Sequence, residues 1–159
     1  MNFYTIGVYG TTQDDYFTKL TNAKIDLFCD IRQRRGVRGK EYSFVNSTKL
    51  QKKLSELNIQ YIHIKELAPT KEIRYKQKQD DIKSNVLKRD RDTLGDKFIF
   101  EYNQNIINNF DFNGLIKYFK EKNCSNIVFF CVEEKAKACH RSLVANQIEI
   151  LYGTKIKDL

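Results

Sequence analysis

Cys131-Val132-Glu133 and Cys139-His140-Arg141 place two thiols, an imidazole, a carboxylate and a guanidinium on one short stretch of chain. Such a set can do nucleophilic and acid–base chemistry. The thiolate is the nucleophilic form of cysteine, and a helix N-terminus with cations beside it lowers a thiol pKa. Cys139, flanked by Lys137, His140 and Arg141, is therefore the candidate nucleophile. Glu133 or His140 can carry the proton, and Arg141 can fork onto a phosphate or carboxylate. Cys131 closes the apolar run 127–130 and faces the same connection. Cys131, Cys139, His140 and the distant His63 are also legitimate zinc ligands. Their spacing matches no common zinc finger, so neither a metal nor another cofactor is expected.

A second constellation leaves an earlier apolar run. Asp30 and Arg32 begin a segment that continues through Arg34, Arg35, Arg38 and Lys40, with Gly36 and Gly39 freeing the backbone to approach a ligand. Tyr42 and Phe44 follow, so cations and aromatic faces alternate as a nucleotide or single-stranded nucleic acid would require. Asp30 is expected to pair with Arg32 or orient a cation. His63, on the run 59–64, can reach the same edge as a substrate contact. The charged segment after Pro69 is read as a solvated helix face.

These groups must be held by something, and the pattern of apolar residues supplies it. Residues 3–9, 25–31, 59–64 and 126–132 are β-rich runs. Helical spacing marks 14–21, the run with Leu50, Leu54 and Leu57, and a last helix from about 140 to 152 with Leu143, Val144, Ile148 and Leu151 inward. Strands separated by helices imply an α/β fold, a small, mainly parallel four-stranded sheet with helices on both faces. Between the third and fourth strands, residues 70–91, 97–109 and 113–122 read as helices, a helical insertion over about 70–122. Residues 1–159 are expected to form a single domain. Parallel strands followed by helices gather their loops at the carboxyl edge, where α/β proteins bind ligands.

The chain carries 28 Lys and Arg against 20 Asp and Glu, a net charge of +8, which favours an anionic partner. No leader or membrane-length apolar segment of roughly 18 residues is evident. Four cysteines in no close-set framework fit a reducing cytoplasm. The reading is a cytoplasmic protein, an enzyme acting on a phosphate-bearing substrate, with nucleotide or nucleic acid as the anionic ligand. The alternatives are a noncatalytic nucleic-acid-binding module built on loop 32–40 and a ligand sensor with a reactive cysteine.

Thr5-Ile6-Gly7, Asp30-Ile31-Arg32, Tyr61-x-His63 with Leu67, and above all Cys131-x-Glu133 with Cys139-His140-Arg141 resemble the domain-of-unknown-function family numbered 488. The runs Arg34-Arg35-Gly36-Val37-Arg38-Gly39 and Leu67-Ala68-Pro69-Thr70-Lys71-Glu72-Ile73-Arg74 resemble one subgroup of it. The resemblance spans nearly the whole chain and implies an α/β fold, with no established activity.

Overall fold

Five strands form one sheet in the order β3-β2-β4-β1-β5, and every adjacent pair is parallel. The computed structural model describes residues 1–87 and 90–159. The strands are β1 (Asn2–Ile6), β2 (Leu27–Asp30), β3 (Gln60–His63), β4 (Asn126–Phe130) and β5 (Lys157–Asp158). Four were expected; the fifth is two exposed residues at the chain's end, too short to show any periodicity. Thr5 Oγ1 donates to Asp158 Oδ1, which ties that edge to β1.

The helices are α1 (Gln13–Asn22), α2 (Ser47–Glu56), α3 (Lys71–Lys83), α4 (Asp96–Asn105), α5 (Phe112–Glu121) and α6 (Arg141–Tyr152). Thr12 caps α1, its hydroxyl accepting from the Asp15 amide, and Thr70 caps α3 in the same way through Ile73. The expected helix over 70–91 stops at Lys83, and Asn85 turns the chain with a left-handed φ of 51°. That expectation also covers Lys88 and Arg89, which lie outside the described residues. In α6 Val144 and Ile148 are fully buried as expected, whereas Leu151 is exposed.

Side chains alternate across the sheet, and the register shows which share a face. Phe3, Ile127 and Leu27 lie in one row, with Thr5, Phe129 and Cys29 in the next on that face. Phe119 of α5 packs on this side, its ring 6.4 Å from both Phe3 and Phe129. Phe28, Phe130 and Asp30 occupy the opposite face, where Tyr16 of α1 meets Phe130 at 5.9 Å. Helices therefore cover both faces. Phe28, Phe119, Phe129 and Phe130 are fully buried, each contributing roughly 1.5–3 kcal/mol of transfer free energy.

The register also builds the site. Asp30 pairs with Phe130, and Phe130 pairs with Ile6, so β2, β4 and β1 end on the same row. Ile31, Cys131 and Gly7 step off that row side by side. The ladder continues briefly beyond the strands: Ile31 N–H donates to Phe130 O, Cys131 N–H to Ile6 O and Val8 N–H to Val132 O. Gly7 must lack a side chain here. A Cβ would fall against the Glu133 carbonyl and within 3.1 Å of Arg141 Nη1.

Candidate active site

The carboxyl edge opens into a cleft of about 760 Å³, a size suited to a small-molecule ligand. Its wall takes Cys131, Glu133, Cys139 and His140 from the β4–α6 connection and Arg32, Arg34 and Arg38 from the loop after β2. The insertion supplies Arg74, Lys78, Asp81, Arg91 and Phe98, so it does border the cleft. Ile82, Val86 and Leu87 add an apolar rim.

Cys139 and His140 form the chemical centre. Cys139 Sγ lies 3.7 Å from His140 Nδ1, and both residues are buried. His140 Nε2 sits 3.0 Å from the Ile31 carbonyl, which can only accept, so Nε2 carries hydrogen. In the neutral ring Nδ1 is then the acceptor, and it points at the thiol. Tyr102 of α4 packs on the imidazole at 5.6 Å, its own hydroxyl held by the Leu67 carbonyl at 2.6 Å. Burial alone would raise the Cys139 thiol, but a hydrogen bond from Cys131, the imidazole and the Arg141 guanidinium outweigh it. Together they hold Cys139 well below the ordinary thiol range. Burial pushes Cys29 and Cys124 the other way. Cys139 is singled out.

Asp30 and Arg32 form the second element. Arg32 Nε and Nη2 fork onto the Asp30 carboxylate at 2.9 and 2.7 Å, and Nη2 also reaches the Val45 carbonyl. The Arg32 amide caps Asp30 Oδ1, and Tyr61 donates to Oδ2 at 2.9 Å. Burial and the Asp30 charge push the Tyr61 hydroxyl up to about 12, so it remains a donor. The guanidinium lies 4.5 Å from the Phe130 ring centroid. Its Nη1 is buried with no hydrogen-bond partner. Arg91 shows a similar pattern: Nη1 pairs with Asp81, Nη2 bonds the Ala138 carbonyl, and Nε is buried with no partner. Two cleft-lining guanidiniums thus hold an unused donor each.

His63 lies beside the cleft wall rather than on it: its Nε2 donates to the Arg32 carbonyl at 2.8 Å. The two histidines therefore clamp consecutive carbonyls, Ile31 and Arg32, where the chain leaves β2. Arg35 is also off the wall, its side chain bonded to Tyr61 and its carbonyl to the Ser47 amide. Arg34 and Arg38 are exposed and line the cleft.

Arg141 is fully buried, and each of its nitrogens has a protein partner. Nη1 bonds the Glu133 carbonyl, Nη2 the Glu134 carbonyl at 2.8 Å, and Nε and Nη2 reach Asp158 of β5 at 3.3 Å. It ties the connection between β4 and α6 to the sheet edge. Sequence reasoning did not single out Arg91 or Asp158. Arg91 reads as one more charge on a polar stretch, and Asp158 gains its role only from a distant partner.

Cys131, Cys139 and His140 also come together as donors, one ligand atom of each lying within 4.8 Å of the others. His63 is not in this group. Among the described residues no helix is long and apolar enough to cross a membrane. No curated protein and no solved structure matches the chain. The sequence pattern of the family described as domain of unknown function DUF488 matches residues 12–148, nearly the span over which the motifs resemble it. The chain belongs to that family.

Proposed function

We propose that this protein is an enzyme that holds a phosphate-bearing substrate, a nucleotide or nucleic acid, in the cleft and attacks it with Cys139. The observation that carries the reading is the Cys139–His140 pair, its acceptor nitrogen fixed by the Ile31 carbonyl, on the wall of a cation-rich cleft. Six cationic side chains (Arg32, Arg34, Arg38, Arg74, Lys78 and Arg91) line that cleft against the carboxylates Asp81 and Glu133. Such a field favours an anionic ligand and raises its local concentration.

The residues divide by task. Cys139 passes its proton to His140 Nδ1, Sγ bonds the electrophilic atom, and the leaving group departs with that proton. Water then cleaves the sulfur–substrate bond, its hydroxyl staying with the substrate and its hydrogen returning to Sγ. Glu133 is the further proton carrier at the wall. Cys131 supports the Cys139 thiolate by its hydrogen bond. Arg32 Nη1, with Arg34 and Arg38, binds the anion. Asp30, His63, Arg35 and Arg141 are positioning residues: Asp30 aligns Arg32, His63 holds its carbonyl, Arg35 braces Tyr61 and Arg141 fixes the loop.

A noncatalytic nucleic-acid module is the second reading, favoured by the exposure of Arg34 and Arg38 at the cleft. Turnover of nucleotides and single-stranded oligonucleotides separates the two. Cys139→Ser should lower turnover by about 10³-fold or more, the scale set by loss of a nucleophile. It should leave binding intact. Changing Arg34, Arg35 and Arg38 together to Ala should flatten the log–log salt dependence of single-strand binding by about two units if all three contact phosphate. Normal turnover by Cys139→Ser would sink the enzyme mechanism. Salt-dependent binding lost in the triple variant, with no turnover in the wild type, would favour the module.

A further inference from the structure

We propose that Cys131 Sγ, Cys139 Sγ and His140 Nδ1 form a site for one soft divalent cation, with zinc as the best fit and a fourth position open to the cleft. Adjacent Cys139 and His140 show no finger-like spacing. The fold nevertheless brings the three donors within 4.8 Å of one another, because Cys131 leaves β4 where the segment entering α6 returns. Tetrahedral zinc with sulfur at about 2.3 Å and nitrogen at about 2.0–2.1 Å places those two ligands about 3.6 Å apart. Cys139 Sγ and His140 Nδ1 are 3.7 Å apart. That edge needs almost no adjustment.

The surrounding contacts fit as well. A histidine that binds metal through one nitrogen commonly donates the other N–H to a backbone carbonyl, which fixes the ring and leaves the ligating lone pair in place. His140 Nε2 already bonds the Ile31 carbonyl, so Nδ1 is the nitrogen on offer. Two thiolates and an imidazole select a soft or borderline cation over magnesium or calcium. All three residues line the cleft, so an exchangeable water or ligand would complete the tetrahedron from that side. Binding exchanges the two thiol protons for one cation and releases them to solvent.

The consequence for catalysis rests on the reading of Cys139 as nucleophile. With zinc bound, the Cys139 lone pair is committed to the metal, so zinc silences the thiol and its removal restores it.

The test uses the full chain, stripped with a chelator under reducing conditions, its fold checked by circular dichroism, and then titrated with zinc and separately with cobalt(II). One equivalent should bind. Cobalt should give a thiolate-to-metal charge-transfer band, and Cys131→Ser and Cys139→Ser should each reduce it by about half. Each serine change and His140→Ala should weaken zinc by more than about 100-fold, beyond the 10–100-fold typical of an outer-shell change. Cys29→Ser and Cys124→Ser should change nothing. In the unaltered protein, zinc should slow alkylation of Cys131 and Cys139 but not of Cys29 and Cys124, a readout that needs no variant to fold. No binding, or zinc bound equally well by both serine variants, overturns the site. If zinc binds but metal-free Cys139 is no more reactive than Cys29, the metal site stands and the nucleophile fails. If Cys139 is reactive and zinc does not bind, the reverse holds.

Discussion

Arg141→Met should lower the free energy of unfolding by roughly 3–5 kcal/mol, because a buried charge network loses its only cation. The guanidinium is fully buried, and its bonds run to the Glu133 and Glu134 carbonyls and to Asp158. Methionine keeps much of the volume and none of the donors. Two carbonyls then lose their hydrogen bonds, while Asp158, already 40% exposed, can turn to water. The loss compares with a total of about 5–15 kcal/mol for an ordinary domain. Urea denaturation followed by circular dichroism measures it. An effect under about 1 kcal/mol, the range of a typical exposed ion pair, would show that Arg141 is not the tie described here.

Asp30→Ala should cost a similar amount, about 3–5 kcal/mol, for a related reason. Asp30 is wholly inaccessible and takes bonds from Arg32 Nε, Nη2 and backbone N–H and from Tyr61. Removing the carboxylate leaves the Arg32 guanidinium buried without its counter-charge, and a guanidinium does not shed its proton in a protein. The Tyr61 hydroxyl loses its acceptor too. Removing both charges should hurt less than removing one. The double change Asp30→Ala with Arg32→Met is therefore expected to recover at least about 1 kcal/mol relative to Asp30→Ala alone. Strict additivity of the two single changes would contradict the pairing as an energetic unit.

Much of this arrangement can be read from the residues, and the rest fails for identifiable reasons. The apolar runs of β1 to β4 are continuous and β-branched or aromatic, so their strands stand out. Lys157 and Asp158 carry no such signal, because β5 is held by its pairing with β1 and by Arg141 rather than by apolar burial. The polar run after Thr70 has no apolar stripe to end, so the stop at Lys83 shows only in the turn at Asn85. The Cys131 to Arg141 connection is legible as a cluster because its members are close in sequence. Their division of labour is not. That Arg141 faces the framework depends on Glu133, Glu134 and a C-terminal aspartate. That His140 presents Nδ1 depends on a carbonyl 109 residues away. Contacts of that kind follow from strand order, which the periodicity of a single chain does not encode.

The alkylation rate of each cysteine in the native, metal-free protein, followed against pH, tests the central claim most directly. A thiol held below its ordinary range keeps its thiolate as the pH falls, until the pH passes through that lowered pKa and the proton returns. With iodoacetamide at pH 7, Cys139 should therefore react faster than Cys29 and Cys124, provided the reagent enters through the cleft it lines. Its rate should reach half-maximum well below the value of about 8.5 typical of an unperturbed thiol. His140→Ala should move that midpoint upward by removing both the charge and the hydrogen-bond partner. If Cys139 labels as slowly as Cys29 and Cys124 in the folded protein, or its rate rises only near the ordinary thiol pKa, it is not an activated nucleophile.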